Sequence, residues 1–320
     1  MPRVRGTAET LTASRCYYKL VLITRRRERR SGQPPQATAA RKLEVVVLAE
    51  NTVRGAGFLG EHGLAFWINA DGRRLLFDTG QGKVLGENAR QLGMHLEGIE
   101  AVAISHGHYD HTGGLHTALA RAHRAKVYVH PAAFHAKYSR QEAPPHRSIG
   151  IPRSDKLAVQ SRGRIVIWTA QPSEIVPGVW VTGEIPRITN FEDVGGPFYL
   201  DRTCTRPDSL AEDQALYVES AQGLVVLLGC AHAGVVNTLE YVSRITGRKR
   251  IHAVLGGMHL LRASRKRIEA TGDVLERFKV RVIAPGHCTG AVAVAYLWNR
   301  FPSRVAECAT GSHFVFQRKS

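Results

Sequence analysis

The sequence predicts an α/β fold in which two mixed β-sheets pack face to face with helices outside them, a four-layer αββα sandwich. From Leu43 onward, short runs rich in β-branched and aromatic residues alternate with amphipathic stretches. These runs form two groups, one in each half of the chain, and a polar stretch with Pro144, Pro145 and Pro152 separates them. Two sheets and their outer helices would bury the apolar face of every element.

The predicted strands are short and bounded by glycine, aspartate or proline. In the first half they are residues 43–48, 64–69, 74–77, 101–105 and 126–130. In the second half they are residues 164–168, 179–182, 215–219, 224–228, 253–255, 280–284 and 313–316.

Three helices are predicted in the second half. The first places four apolar residues on one face at Val235, Leu239, Val242 and Ile245. Gly247 follows it as a stop. A second helix is predicted from Ser264, as its N-cap, to Phe278, and a third after Thr289, another N-cap residue.

The charge of the chain is unevenly distributed. The 44 Lys and Arg outnumber the 27 Asp and Glu, giving +17, and residues 1–42 carry 11 basic residues against Glu9 and Glu28. We therefore predict a basic, flexible N-terminal arm at 1–42 and a folded domain at 43–320. Nucleic-acid binding through the arm is less favoured, because no aromatic interleaving accompanies the arginines.

The remaining composition excludes other classes of protein. Hydrophobic residues make up 43% of the chain, which is typical of a folded domain rather than a disordered one. No apolar run approaches the roughly 20 residues that cross a bilayer, so no membrane partner is expected. The five cysteines are widely spaced and odd in number, without a C-x-x-C pair. They indicate a reducing, cytoplasmic compartment rather than a disulfide framework.

Four potential metal ligands lie within six residues, directly after the strand predicted at 101–105. They are His106, His108, Asp110 and His111. Imidazole and carboxylate groups bind Zn²⁺, Mn²⁺ or Fe²⁺. His106 and His108 would bind one ion and Asp110 and His111 an adjacent one, which predicts a dinuclear site with one to two ions per chain. Zinc is the first choice, with manganese or iron as alternatives.

This H-x-H-x-D-H segment resembles the signature of the metallo-β-lactamase superfamily. Further segments resemble its branch of 7,8-dihydropterin-6-methyl-4-(β-D-ribofuranosyl)aminobenzene-5'-phosphate synthases. These segments are residues 48–51, 77–80, 182–187, 229–234, 256–260 and 285–290. The resemblance spans about residues 43–316 and implies the αββα fold and the four ligands named above.

The resemblance also implies further site residues. His287, after a late strand, would complete the second metal. Residues 182–184 stand where many relatives have Gly-His, so His232 is the best third histidine for the first metal, with His259 as a ligand or substrate contact. Asp78 is expected to orient a ligating imidazole, and Glu184 to be an acidic group behind the ligands.

Cys230 stands where many relatives place a bridging aspartate. Two alternatives follow: a small packed residue, which we favour here, or a thiolate ligand. Arg187 and His146 are candidate substrate contacts, and segments 134–163 and 191–212 are the expected pocket walls.

The predicted activity is hydrolysis of a phosphoester, lactone or related ester by a metal-bound hydroxide, with Asp110 and His111 as catalytic residues. The alternative implied by the resemblance is a synthase-like transferase acting on a phosphorylated pterin. The excess positive charge suits a small anionic or phosphorylated substrate in both cases. The sequence assigns no oligomeric state.

Overall fold

A computed structural model of the chain describes residues 39–161 and 163–318. The predicted arm lies outside the described residues as far as position 38. Within the described residues, no helix is both long and apolar enough to span a bilayer.

The described residues form sixteen strands and seven α-helices. The strands are β1 (Lys42–Ala49), β2 (Ala65–Ala70), β3 (Arg73–Phe77), β4 (Ala101–Ala103), β5 (Lys126–Val129), β6 (Tyr138–Ser139), β7 (Arg147–Ser148), β8 (Val166–Trp168), β9 (Ser173–Val176), β10 (Val179–Val181), β11 (Phe198–Tyr199), β12 (Leu216–Ser220), β13 (Gly223–Leu228), β14 (Ile251–Gly257), β15 (Val282–Gly286) and β16 (His313–Gln317). The helices are α1 (Leu85–Gln91), α2 (Tyr109–Thr112), α3 (Leu115–Arg121), α4 (Arg153–Gln160), α5 (Val235–Thr246), α6 (Arg265–Arg277) and α7 (Ala291–Arg300).

Two large mixed sheets organise these elements. The first has the order β16-β1-β2-β3-β4-β5-β8, and the second has the order β15-β14-β13-β12-β10-β9. Strands β3, β4, β5 and β8 run parallel to one another in the first sheet, as β13, β14 and β15 do in the second. A small third sheet has the order β11-β6-β7. The parallel strands matter for function because their carboxyl ends carry the candidate site.

Three apolar clusters fill the space between four layers. One lies between the sheets and includes Val45, Phe66, Val225 and Leu255. A second packs α5, α6 and α7 on the outer face of the second sheet, and a third packs α1, α3 and α4 on the first. Each sheet is therefore covered on both faces, which confirms the predicted αββα sandwich.

The predicted strands are confirmed, with ends that shift by one or two residues. The short strands β6, β7, β9 and β11 were not predicted. The helix predicted after Ser264 is confirmed, because the Ser264 side chain accepts a hydrogen bond from Arg267 N. Thr289 is not the N-cap of α7; Gly290 is. The Thr289 hydroxyl instead donates to Gly286 O at 2.6 Å and accepts from Met258 N at 3.1 Å.

The N-terminal arm can be cut at a defined position. Ala40 is buried and exchanges backbone hydrogen bonds with Glu219 and Ala221, so the folded part begins by residue 40. Deleting residues 1–38 should therefore leave metal content unchanged and thermal unfolding cooperative, as measured by elemental analysis and calorimetry. Deleting residues 1–42 removes the Ala40 contacts and serves as a destabilised comparison. A non-cooperative transition in the shorter deletion would contradict this boundary.

Candidate metal centre

The candidate site lies where parallel strands of both sheets end. The signature loop follows β4, and Asp78 follows β3. From the second sheet, Cys230, His259 and His287 follow β13, β14 and β15. Parallel strands place their carboxyl ends at one edge, which explains why residues far apart in sequence meet here.

The backbone at this edge is strained. Asp78, Ala231, His259 and His287 have φ between 47° and 60°, in the left-handed region that residues with a Cβ seldom adopt. Such conformations cost about 1 to 3 kcal/mol each and cluster at functional sites, where the surrounding structure enforces them.

A first group of donor atoms comes from His106, His108 and His232. One ring nitrogen of each lies within 4.8 Å of the other two. His232 Nδ1 donates to Val194 O at 2.8 Å, which leaves Nε2 with a lone pair. Neither His108 Nε2 nor His232 Nε2 has a hydrogen-bond partner among the described residues, although both are buried.

A second group adjoins the first. His111 Nε2 lies 3.2 Å from His287 Nε2 and 3.1 Å from Cys230 Sγ. Asp110 Oδ2 lies 3.5 Å from His287 Nε2 and 3.2 Å from His62 Nε2. The two groups share a border, because His106, His111 and Cys230 also lie within 4.8 Å of one another.

Asp78 orients ligand candidates from both groups. Its Oδ2 accepts from His111 Nδ1 at 2.7 Å and from Ser105 Oγ at 2.6 Å, while Oδ1 accepts from Ser105 N at 2.7 Å. Because the Ser105 hydroxyl donates its proton to Asp78, Ser105 Oγ accepts a hydrogen bond from His106 Nδ1 at 2.8 Å. His106 and His111 therefore both direct Nε2 lone pairs inward. Gly229 permits this packing, since a Cβ there would lie 2.1 Å from Ser105 Oγ.

Burial and ion pairing set the charge of these groups. Burial lowers the pKa of His106 and His232 well below the usual value and that of His108 to about 3, so all three are neutral at pH 7. For Asp110, burial opposes ionisation, but hydrogen bonds from His287 and His62 outweigh it and hold the pKa well below its usual range. Neutral imidazoles beside an ionised carboxylate are the forms that bind cations.

The donor set fits a divalent metal. His111 Nε2 and His287 Nε2 lie only 3.2 Å apart, close enough for both to bind one ion once the proton on His287 has left. Buried nitrogens of His108 and His232 lack partners among the described residues, and buried polar atoms rarely remain unpaired. Outward N–H groups held by a carboxylate, a hydroxyl or a carbonyl are the usual support of metal-binding histidines.

Comparison with known proteins identifies the family. Residues 60–202 match the metallo-beta-lactamase superfamily. The crystal structure of Tm1679, described as a metal-dependent hydrolase of the beta-lactamase superfamily, superposes with a TM-score of 0.71 at 32% identity, covering 85% of this chain and 98% of that chain. The chain belongs to the metallo-β-lactamase superfamily.

Two proteins of Methanocaldococcus jannaschii are also similar to this superfamily member. One is named 7,8-dihydropterin-6-methyl-4-(beta-D-ribofuranosyl)-aminobenzene-5'-phosphate synthase and is 28% identical over 271 residues, covering 81% of this chain and 92% of that protein. The other, uncharacterized protein MJ0448, is 30% identical over 257 residues, covering 79% of this chain and 93% of that protein. These relationships confirm the resemblance inferred from the sequence motifs.

Cys230 faces the centre of this metallo-β-lactamase site. It is buried, and its Sγ lies within 4.8 Å of donor atoms from both groups. Burial raises the pKa of its thiol well above the usual value, so the metal-free protein holds it as a neutral thiol. Because Cys230 Sγ lies among these donor atoms, we propose the thiolate-ligand alternative in place of the packed one that the sequence favoured.

A Cys230→Ser variant is accordingly expected to bind the second ion at least about 10-fold more weakly, because a hydroxyl is a poorer ligand than a thiolate. Cys230→Asp should retain most of the affinity, since a carboxylate can replace the thiolate. Chelator competition under reducing conditions measures both, and Cys204→Ser, at another buried cysteine, is the control. Equal affinities in Cys230→Ser and the wild type would restore the packed interpretation.

Arg187 and Asp213 form hydrogen bonds with the backbone of the turn that carries His232. Arg187 donates to His232 O and to Ser209 O, each at 2.7 Å. Asp213 Oδ2 accepts from Ala233 N at 2.7 Å, and burial raises the pKa of Asp213 to about 7. The guanidinium of Arg187, expected to contact substrate, thus donates to two backbone carbonyl oxygens, one of them in the turn that carries His232.

The structure brings His259 to the site but not Glu184 or His146. The ring of His259 lies 4.2 Å from that of His232, and its Nε2 contacts Gly195 O at 3.2 Å. Glu184 is exposed and belongs to none of the donor groups found among the described residues. His146 Nδ1 accepts from Gln141 N at 3.2 Å within its own loop.

Several residues near the site were not singled out from the sequence. Glu50 accepts from His287 N, Asn51 contacts His287, and His62 contacts Asp110. Both Glu50 and Asn51 fall in a motif that the family resemblance had marked, which was the available signal. A cavity of about 650 Å³ lies beside them and is lined by Asn51, Thr52, Val53, Gly60, Glu61 and His62.

Residues from the predicted pocket walls lie beside the first donor group. Phe198, on β11, places its ring 5.0 Å from that of His108 and 5.4 Å from that of His232. Arg147, on β7, donates to the Tyr109 hydroxyl at 2.7 Å and stacks over its ring. An aromatic and cationic rim therefore borders the first donor group.

A proton should compete with metal at the second group. Burial alone would lower the pKa of His287, but its hydrogen bond with Asp110 outweighs burial and raises that pKa to about 9. At pH 7 the metal-free protein therefore carries a proton on His287 that a metal must displace. Zinc binding to this protein is expected to release about one proton from His287 at pH 7, and binding should tighten as pH rises towards 9.

Calorimetric titration in buffers of different ionisation enthalpy counts the released protons. His287→Ala should release fewer protons than the wild type, and His95→Ala, at an exposed histidine, should release the same number. Proton release unchanged by His287→Ala would contradict the assignment.

Proposed function

We propose that this protein is a metal-dependent hydrolase with a dinuclear zinc centre that acts on a phosphoester, lactone or related ester. The observation that carries the proposal is the pair of adjoining buried donor groups, with inward ring nitrogens of His106, His111, His232 and His287. The donor set combines imidazoles with the Cys230 thiol, which favours zinc over manganese.

Metal ions bound here would supply a water of lowered pKa and polarise the ester oxygen. The chain's own residues would hold the second donor group in place and control the access of water and substrate. Asp110 remains ionised and, with His111, holds the second group in place beside the signature loop. Phe198 covers the first group and limits water access, while the open cavity next to His62 admits substrate.

The similar crystal structure of Tm1679, described as that of a metal-dependent hydrolase, supports a hydrolytic activity. A second candidate, a synthase-like transferase that takes a phosphorylated pterin, is supported by the named relative with 28% identity. A small anionic substrate suits both proposals, because the chain carries a formal charge of +17.

One set of assays separates the candidates. The purified protein is tested with bis-p-nitrophenyl phosphate, with an acyl lactone, and with a dihydropterin pyrophosphate plus an aromatic ribosyl phosphate, each with and without chelator. Chelator-sensitive release of nitrophenol or opening of the lactone supports the hydrolase. Pyrophosphate release that requires both partners supports the transferase. No chelator-sensitive turnover of any of the three would reject both.

A further inference from the structure

Asn51 and His62 lie in the connection between β1 and β2. Neither belongs to the ligand set proposed above. Both nevertheless contact that set, because Asn51 Oδ1 lies 2.9 Å from His287 Nδ1 and His62 Nε2 lies 3.2 Å from Asp110 Oδ2.

The orientation of the Asn51 amide follows from a backbone contact. Gly63 N lies 3.3 Å from the atom assigned as Oδ1, and a backbone N–H can only donate. That atom is therefore the oxygen. The same oxygen faces His287 Nδ1, so His287 carries a proton on Nδ1 and turns its Nε2 towards Asp110 and His111.

The tautomer of His62 follows in turn. With the oxygen placed, the Asn51 Nδ2 amide faces His62 Nδ1 at 3.4 Å. An amide nitrogen only donates, so His62 Nδ1 accepts and the ring proton sits on Nε2. That proton points at Asp110 Oδ2, an acceptor. His62 is thus a donor to the carboxylate rather than a further ligand, although its position is close enough to be one.

The two histidines that contact Asp110 differ in burial. The His62 side chain is 56% exposed, whereas that of Asp110 is 10% exposed and that of His287 is fully buried. His62 therefore holds Asp110 from the solvent side, next to the cavity, and His287 lies on the interior side. The rings of His62 and His287 are 5.1 Å apart, so one amide reaches both.

We propose that Asn51 and His62 are positioning residues that together fix the second metal group: the Asn51 amide selects the tautomers of His287 and His62, and His62 Nε2–H holds the Asp110 carboxylate. The inference rests on the proposed metal centre. It does not depend on which substrate the centre acts on.

The first test reads the tautomers directly. Long-range ¹H–¹⁵N spectra of the zinc-loaded, ¹⁵N-labelled protein are expected to show His62 protonated on Nε2 and His287 on Nδ1. His62→Gln and His287→Gln variants assign the two signals. An Nδ1-protonated His62, or an Nε2-protonated His287, would overturn the proposal without any variant having to retain activity.

The second test measures the affinity of the second zinc ion by chelator competition. His62→Leu is expected to weaken it about 10- to 100-fold, the usual cost of losing a group that orients a ligand. His62→Gln should restore most of the affinity, because its amide can accept from Asn51 and donate to Asp110. His95→Leu, at an exposed histidine away from the site, is the matched control and should bind as the wild type does.

Asn51 variants separate the contact of Asn51 with His287 from its contact with His62. In Asn51→Asp the carboxylate still accepts from His287 Nδ1–H but offers His62 no donor, so zinc affinity should fall about as far as in His62→Leu. Asn51→Leu removes both contacts and should weaken binding further. Equal zinc affinity in His62→Leu, Asn51→Leu and the wild type would refute the proposal. Absence of turnover alone, with these affinity differences present, would reject the proposed function and leave the inference intact.

Discussion

A variant carrying both His106→Ala and His108→Ala is expected to lose at least about 100-fold in kcat/KM and to bind one ion fewer per chain. The two imidazoles are buried and neutral, and they contribute two of the three nitrogens of the first donor group. Loss of a group that merely supports a ligand costs about 10- to 100-fold, so removal of two ligands should cost more. Elemental analysis and the ester assays measure the two effects.

The matched control is His95→Ala with His123→Ala, which removes two exposed histidines from the same half of the chain. It should retain full metal content and turnover. If the His106 and His108 double variant kept wild-type turnover, the metal-dependent mechanism would be wrong, whatever the metal content of the protein.

Strand prediction succeeded where burial creates a strong local pattern. The run at β13 is apolar from Leu224 to Leu228, because parallel strands covered on both faces are buried throughout. Strands β6, β7 and β11 contain two residues each and are half-buried or exposed, so no period can be recognised in them. The sequence therefore predicted the layers but not the small sheet that carries Phe198.

Site prediction succeeded for residues that are close in sequence. His106, His108, Asp110 and His111 share one loop, and their spacing alone indicates a metal site. Contacts across the fold carry no comparable local signal. The hydrogen bond between Asn51 and His287 joins residues 236 positions apart, and only the packing of the two sheets brings them together.

Polar residues were also harder to assign than ligands, because their partners are backbone atoms. The charge of Arg187 suggested a substrate contact, yet its donors bind two carbonyl oxygens. Nothing in the sequence around Arg187 identifies those carbonyls.

A buried cluster of three charges lies directly behind the signature loop. The Lys137 ammonium contacts Asp208 Oδ2 at 2.7 Å and Glu212 Oε1 at 2.5 Å, and all three side chains are almost fully buried. Glu212 Oε1 also accepts from Gly107 N, between His106 and His108. A Cβ on Gly107 would lie 2.7 Å from Lys137 Cε, so the loop packs tightly on the lysine stem. The cluster therefore couples folding stability to the geometry of the first donor group.

Lys137→Met should lower the free energy of unfolding by about 3 to 5 kcal/mol, the usual cost of removing one partner from a buried ion pair. Methionine fills the space of the lysine stem, so the loss reports the missing charge rather than a cavity. The substitution leaves the buried carboxylates of Asp208 and Glu212 without a cation between them. Urea unfolding of the metal-free protein measures the change, and Lys126→Met, at an exposed lysine, is the control.

The pH dependence of this deficit distinguishes a charge effect from a packing effect. Burial already raises the pKa of Glu212 in the wild type, and removing Lys137 takes away the cation that opposes this rise. A carboxyl whose pKa is raised in the folded state costs stability above that pKa, and the cost disappears as pH falls through it. The deficit of Lys137→Met should therefore shrink as pH is lowered from 7.5 to 5.5. A deficit below about 1 kcal/mol, as for an exposed pair, or one that does not change with pH, would show that the three charges do not stabilise the loop.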